Sequence, residues 1–329
     1  MIKVAAAAAM HTGLEQMRQA RMRDPTRRRL LQITAGMAVM GIGPAVPAGR
    51  HHRWTGSALG AAAAIDLYHD DRARATRLLE QVVAEVDRLE GIFSLQRRDS
   101  ALSRLNRDGR LARPPLELLS VLETAALFSQ LSDGAFDVTV QPLWRLHAEA
   151  AARDAVPDHR SVERTLARVG WRSLELDRGA LAFRRAGMAA TLNGIAQGYI
   201  TDRVTDLLRD AGVEEVLVDL GELRAGGNQQ PGRSWRLATV VGPVHLTDRA
   251  LAVSSARPAD CCLPGGSPNL ISPTSGMPLL DGRTVAVTAP SAMLADAAAT
   301  ALATSPLDDN LPLESRLGPF GISVLRQTA

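Results

Sequence analysis

Asp296 and Thr300 form a pair whose residue types and spacing suggest a chemical role. They lie in an alanine-rich run, Ala289–Ala301, with the composition of a helix that starts after Pro290. Residues four apart share one helix face, so a carboxylate and a hydroxyl would lie side by side. Such a pair suits a hard cation such as Mg²⁺, which keeps other positions for water and phosphate oxygens. Asp296 is either a buried oxygen ligand or an edge residue, and spacing alone favours an ordinary structural position.

The segment Thr191–Tyr199 is the second candidate site. Gly194 and Gly198 open a predicted helix over residues 195–210. Glycine lets backbone N–H groups approach a ligand closely, and a helix N-terminus favours phosphate. Taken alone the signal is weak, since glycines before helices commonly form simple turns.

The histidines and cysteines give weaker signals. His69, His147, His159 and His245 are scattered without the spacing of metal ligands. The only cysteines, Cys261 and Cys262, are adjacent and cannot link distant segments. Two free thiols fit this pattern better than a strained bridge.

The hydrophobic pattern predicts helices and strands interspersed without a strict βαβ rhythm. Helices are predicted at 72–90, from Pro114–Pro115 to about 132, and at 161–169, 195–210 and 291–304. Strands are predicted at 61–68, 174–176, 181–183, 216–220, 235–241, 250–254 and 284–288. The chain up to about Arg53 is predicted to be flexible. Residues 93–106 are predicted to form a loop, and residues 134–140 a turn that leads into a short extended segment. These elements predict an α+β fold with a mixed, largely antiparallel sheet core and packed helices.

The N-terminal region has the organisation of an export signal. Arg27-Arg28-Arg29 precedes a mildly apolar, glycine-containing stretch, Leu30–Val46, and Val46-Pro47-Ala48 supplies small residues for cleavage. The paired arginines favour the twin-arginine route. The predicted organisation is therefore a signal peptide at 1–48 and a periplasmic domain at 49–329. No later apolar run reaches membrane length, which predicts a soluble mature protein.

Charge is concentrated in the leader. The net charge is +3, but residues 1–50 contain eight Lys/Arg and two acidic residues, which leaves 30 basic and 33 acidic residues in the remainder. The body is slightly acidic, so we expect no nucleic-acid partner.

Six segments of the chain, taken together and in order, resemble the ApbE family, the FAD:protein FMN transferases. They are Asp99–Asn106, Gly134–Leu143, Gly194–Tyr199, Val218–Gly221, Pro273–Gly276 and the helix that carries Asp296 and Thr300. The resemblance extends from about Ser57 to Leu302. It implies an enzyme that cleaves FAD, attaches FMN through its phosphate to a Thr or Ser hydroxyl of an acceptor flavoprotein, and releases AMP.

The resemblance also implies the roles of particular residues. Mg²⁺ would contact the side chains of Asp296 and Thr300 and the carbonyl of Gly194. Nucleotide-contacting positions would be Leu59, Gln96, Ala135, Phe136, Asp137, Thr191, Gln197 and Ile271, with residues 135–137 at the adenine. Phosphoryl transfer needs charge neutralisation and in-line positioning more than covalent help, which agrees with such a site.

Four positions depart from the family pattern. Gln96 replaces an aromatic residue, Thr191 an Asp and Gln197 a Lys, while Asn269 replaces the His that is the family's proposed base. Asn accepts no proton near neutral pH, so the catalytic residue is unassigned. The segment Arg257–Pro268 is also shorter than the corresponding segment of the family pattern. Two alternatives therefore stay open, a non-catalytic FAD-binding accessory or maturation protein and an FAD pyrophosphatase.

The expected partner is an acceptor flavoprotein of an electron-transfer complex, through which the protein would dock at the inner-membrane surface. Within the family, the leader favours an exported branch such as the NosX type.

Overall fold

The computed structural model describes residues 51–229, 232–239, 241–256, 269–306 and 310–325. All of them belong to one unit of the chain, Ile33–Ala329. The predicted signal peptide, together with Cys261 and Cys262, lies outside the described residues.

Eight α-helices occur in the described part of the chain. They are α1 (Arg72–Phe93), α2 (Ala101–Asp108), α3 (Leu116–Leu131), α4 (Gln141–Ala151), α5 (His159–Leu166), α6 (Ala196–Asp210), α7 (Ala292–Thr304) and α8 (Asn310–Leu317). Four of them begin with a side-chain cap that accepts a hydrogen bond from a backbone N–H in the first turn, at Asp71, Ser100, Asp158 and Ser291. Such caps fix where each helix starts.

Twelve strands occur in the same described ranges. They are β1 (His51–Ala58), β2 (Ala61–Tyr68), β3 (Arg110–Ala112), β4 (Leu174–Leu176), β5 (Ala180–Phe183), β6 (Val216–Asp219), β7 (Leu223–Gly226), β8 (Trp235–Thr239), β9 (Gly242–Leu246), β10 (Ala250–Ser255), β11 (Thr284–Ala289) and β12 (Ser323–Leu325). The main sheet has the order β1-β2-β6-β7-β10-β11-β12, beside a three-stranded sheet β3-β5-β4 and the hairpin β8-β9. The described pairings are antiparallel.

The predicted fold class is confirmed, since helices pack on a largely antiparallel sheet. The strand predicted at 61–68 has those bounds, and the helix predicted from 291 is α7, with Ser291 as its cap. The hairpin predicted across residues 177–179 is the β4–β5 pair. Local signals were sufficient for these elements, because apolar runs and the cap and turn residues that bound them lie next to each other in the sequence.

The prediction that the chain is flexible up to Arg53 was wrong for the described residues. His51–Ala58 is strand β1, paired along its whole length with β2. Its residues are mostly exposed, so they lack the apolar alternation that marks a half-buried strand. The extended conformation of β1 therefore depends on backbone hydrogen bonds to β2 at the edge of the sheet.

Two further segments were assigned wrongly. Residues 101–108, predicted as part of a loop, form α2, whose start is fixed by Ser100. Residues 138–140, predicted as extended, form a 3₁₀ turn that leads directly into α4, which the sequence pattern missed. Both helices are short, with 8 and 11 residues, so their periodic signal spans only about two to three turns.

One large apolar cluster joins the helices to the main sheet. Residues from α1, α3, α6, α7 and strands β2, β6, β10 and β11 contribute to it, most of them aliphatic. Among the described residues, no helix has both the length and the apolar character to cross a membrane.

Candidate functional site

The N-terminal ends of α6 and α7 meet at Gly198. A Cβ atom at this position would lie 2.3 Å from the Ala292 carbonyl oxygen and 2.7 Å from Met293 Cα. Because both obstacles are backbone atoms, a side chain at 198 would force the helices apart. Gly198 is therefore required for the close approach that joins the two motif segments.

Asp202 fixes the start of α7 from the neighbouring helix α6. Its carboxylate accepts hydrogen bonds from the backbone N–H groups of Ala292 (2.7 Å) and Met293 (2.9 Å), and from Arg224 Nη1 (2.8 Å). Burial raises the pKa of Asp202, although Arg224 and the two amides oppose the rise. The interaction of a carboxylate with a helix N-terminus stabilises this arrangement.

Asp296 is buried in this junction, with only 4% of its surface exposed. Its Oδ2 accepts a hydrogen bond from the backbone N–H of Gly198 at 3.1 Å. Burial, with a smaller contribution from the charge of Asp202, raises the pKa of Asp296 to about 8. Of the two positions the sequence allowed, the structure shows the buried one. A cation beside this carboxylate would favour its charged form.

Gly194 and Thr300 are in contact. A Cβ at Gly194 would lie 2.8 Å from both Thr300 Oγ1 and Thr300 Cγ2, so the turn at 194 fits closely against α7. The structure thus brings together the three predicted metal contacts, since Asp296 is one helical turn from Thr300 and is bonded to the segment that starts at 194.

Glu222 is a buried acid that the sequence analysis missed. It follows the β6–β7 turn and is 7% exposed, and its Oε2 atom has no hydrogen-bond partner. Burial and the charges of Asp296 and Asp219 raise the pKa of Glu222 well above its ordinary value. Its position in the sequence, three residues after the end of β6 and directly before β7, gave no sign of this burial.

The β6–β7 turn also receives the side chain of Gln197. Gly221 has φ +102°, and a Cβ there would lie 2.5 Å from Gln197 Nε2. Asp219, at the end of β6, accepts a hydrogen bond from Gly221 N at 3.2 Å, and burial raises the pKa of Asp219 to about 6. Gln197 therefore lies between the start of α6 and a glycine turn that carries two acids.

Leu59 and Gln96 are neighbours at the β1–β2 turn. Leu59 has φ +48° and its N–H donates to Glu90 Oε1 at 2.8 Å. A Cβ at Gly60 would lie 3.1 Å from Gln96 Nε2. The carboxylate of Glu90 also pairs with Arg97 at 2.7 Å, which holds this corner together.

Ala135, Phe136 and Asp137 are all buried. The Asp137 carboxylate accepts from Thr139 N (2.7 Å), Thr139 Oγ1 (2.6 Å) and Trp171 N (2.9 Å). Burial raises the pKa of Asp137. Both carboxylate oxygens hold the protein's own loops in place, so Asp137 fixes the conformation of the segment that is predicted to contact the nucleotide.

The segment before Gly194 is tied to two parts of the fold. Thr191 N–H donates to the Val138 carbonyl at 2.8 Å, which places the 135–138 segment next to the glycine turn. Asn106, at the end of the first ApbE-like segment, bonds both the N–H and the carbonyl of Ala190, at 2.7 and 2.8 Å. Three of the six motif segments are thereby joined.

Asn269 and Ile271 lie in another part of the described chain. Asn269 Nδ2 donates to the Ser255 carbonyl at 2.5 Å, while its Oδ1 is buried without a partner. Ile271 packs with Leu143 and Val162, and the following loop is held by a 2.8 Å hydrogen bond between His147 Nε2 and the Gly276 carbonyl. No described contact joins Ile271 to the site around Asp296.

The residues present fit a small oxygen-coordinated cation. Asp296 is a buried carboxylate, and the Thr300 hydroxyl forms no hydrogen bond among the described residues. A metal site made of three or more His, Cys, Asp or Glu side chains is absent from the described part of the chain. A cavity of about 440 Å³ bordered by Trp171 lies elsewhere, and none of the predicted site residues borders it.

Comparisons with known proteins identify a family that matches most of the chain. The model of the ApbE family matches residues 59–318. The FAD:protein FMN transferase of Vibrio cholerae is 30% identical over 249 residues, covering 69% of this chain and 70% of the relative. The FAD:protein FMN transferase of Treponema pallidum is 29% identical over 252 residues, covering 68% and 70%.

Solved structures show the same fold. The flavinyl transferase ApbE of Pseudomonas stutzeri, in its apo form, superposes with a TM-score of 0.70 at 26% identity, covering 84% of this chain and 92% of that chain. The ApbE protein of Thermotoga maritima, at 22% identity, has a TM-score of 0.72 and covers 84% and 93%. The family match over most of the chain, together with the motif segments joined around Asp296, shows that this protein belongs to the ApbE family.

Proposed function

We propose that this protein is an FAD:protein FMN transferase that uses Mg²⁺ and releases AMP. The observation that carries the proposal is the junction of α6 and α7, where Gly198 bonds Asp296 and Gly194 touches Thr300. The relatives from Vibrio cholerae and Treponema pallidum are FAD:protein FMN transferases, which supports the same reaction.

Asp296, Thr300 and the Gly194 carbonyl would hold the cation. A bound Mg²⁺ supplies positive charge that offsets the negative charge of the FAD diphosphate. The N-terminal end of α6 adds the partial positive charge of a helix start on the same side. Burial of Asp296 keeps water from screening these interactions.

In the proposed transfer, an acceptor Thr or Ser oxygen forms a bond to the phosphorus of the FMN half. The bond between that phosphorus and the oxygen that bridges to the AMP half breaks, and AMP leaves with the bond's electron pair. The acceptor hydroxyl loses its proton to the surrounding solvent. Gln197, which lies close to Gly221, would orient the nucleotide near this step, and Leu59 and Gln96 would contact the rest of the ligand.

Asn269 favours the second candidate, a non-catalytic FAD-binding accessory. Its amide group donates to the Ser255 carbonyl, and an amide takes up no proton near neutral pH. A base at this position is therefore ruled out, and a transferase must rely on positioning and charge. An FAD pyrophosphatase, with water in place of the acceptor hydroxyl, is the third candidate.

A single reaction mixture distinguishes the three. Protein lacking residues 1–48 is incubated with FAD, Mg²⁺ and a Thr-containing acceptor domain. We expect covalent flavin fluorescence on the acceptor after denaturing electrophoresis, with one AMP released per flavin attached. Free FMN and AMP without labelled acceptor would instead identify a pyrophosphatase. Tight FAD binding without any product would identify an accessory.

We also propose that the protein is exported to the periplasm by the twin-arginine route and serves an electron-transfer flavoprotein there. The support is the order of Arg27–Arg29, the apolar stretch and Val46–Ala48. N-terminal sequencing of protein from the periplasmic fraction tests this, with Gly49 expected as the first residue. Recovery of the full-length chain in the cytoplasm would contradict it.

A further inference from the structure

Glu222 has one carboxyl oxygen that the protein leaves unsatisfied. The residue is more than nine-tenths buried, and its Oε2 finds no hydrogen-bond partner. A backbone hydrogen bond from Val253 reaches the carboxyl group, so only Oε2 is left over. Native proteins satisfy nearly all buried polar atoms, and an unpaired buried carboxyl oxygen is costly. The free Oε2 needs an explanation that the internal contacts do not supply.

The charges around Glu222 are of the same sign. Asp296 and Asp219 both act on it electrostatically. The nearby Arg224 forms its ion pairs with two other acids, Asp202 at 2.8 Å and Asp206 at 3.1 Å. The described residues thus collect acids here without a matching positive side chain at Glu222.

The first turns of α6 connect Glu222 to the Asp296 site. Thr201 Oγ1 donates to the Glu222 backbone carbonyl at 3.3 Å, and Gly198 N, one turn earlier, donates to Asp296 Oδ2 at 3.1 Å. The backbone of Glu222 and the carboxylate of Asp296 are therefore both bonded to the same short stretch of helix. Two buried carboxyls in one region are stabilised together by a cation, because it offsets both charges.

We propose that Glu222 is a second acidic side chain of the cation site, with its free Oε2 directed to the cation held by Asp296 and Thr300. The inference rests on the proposed cation site and extends it. Two carboxylates in place of one strengthen the attraction for a divalent cation. Glu222 is then part of the binding machinery and is retained for that reason.

The test measures cation binding directly. Protein lacking residues 1–48 is stripped with EDTA and titrated with MgCl₂ by calorimetry, alone and with saturating FAD. The variants are Glu222→Gln, Asp296→Asn and Glu123→Gln, the last being a charge-matched control at an exposed position on α3. We expect Glu222→Gln to weaken Mg²⁺ binding at least about tenfold, with Glu123→Gln unchanged.

Glutamine matches the shape of a protonated glutamate, so Glu222→Gln also tests a purely structural role. Its melting temperature without Mg²⁺ is expected to equal or exceed that of the wild type, while the stabilisation on adding Mg²⁺ shrinks. If Asp296→Asn loses Mg²⁺ binding but Glu222→Gln stays within twofold of wild type, the role of Glu222 is overturned and the proposed site stands. If the wild type binds no Mg²⁺, both the proposed cation site and the role of Glu222 in it are overturned.

Discussion

Replacing Asp296 with Asn is expected to lower the rate of flavin transfer by at least about a hundredfold. The change removes the buried negative charge that would hold Mg²⁺, and a catalytic cation contributes several kcal/mol to the transition state. The measurement is the initial rate of covalent flavin fluorescence appearing on the acceptor at saturating FAD and Mg²⁺. Asp210→Asn, at an exposed position on α6, is the matched control and should retain the wild-type rate.

Stability should move in the opposite direction from activity. The folded-state pKa of Asp296 is raised to about 8, so its contribution to stability is present below the pKa of an unfolded Asp and is lost as pH rises through 8. Metal-free Asp296→Asn should therefore melt at the same temperature as wild type or higher at pH 8. An active variant, or an inactive one that has unfolded, would contradict the assigned role.

Replacing Gly198 with Ala is expected to destabilise the protein by about 3 kcal/mol, in the upper range for overpacked sites. The new Cβ would meet the Ala292 carbonyl oxygen at 2.3 Å, and neither helix backbone can yield without losing contacts. The hydrogen bond from residue 198 to Asp296 would be disturbed as well, so transfer activity should fall with stability. Chemical denaturation followed by circular dichroism measures the loss.

The control for this prediction is a glycine with open space around it. Gly91 lies in α1, and a Cβ there would meet nothing within 4 Å. Gly91→Ala should stabilise the protein by about 0.5–1 kcal/mol, because alanine loses less backbone freedom than glycine on entering a helix. Equal midpoints for wild type and Gly198→Ala would show that the two helices are not packed as closely as described.

Helices and strands with a full apolar stripe were predictable from their own residues. The buried stripe of α1 and the short apolar runs of β6 and β11 each lie within one short window of sequence. Strand β1 and helix α2 were not predictable in this way, because an edge strand and a short capped helix carry little hydrophobic signal. Apolar residue type alone does not fix burial, since Val83 of α1 is 43% exposed although its neighbour Val82 is fully buried.

The sequence alone determined that Asp296 and Thr300 share a helix face, that glycines begin α6, and that the motif segments follow the ApbE order. Those features depend on residues at most a few positions apart or on linear order. Only the tertiary structure decided that Asp296 is buried and that Gly198, 98 residues away, donates to it. It also decided that Asp202 of α6 bonds the first N–H groups of α7 and that Glu222 has a free oxygen. Contacts between distant segments depend on how elements pack, and a single sequence carries no periodic signal for them.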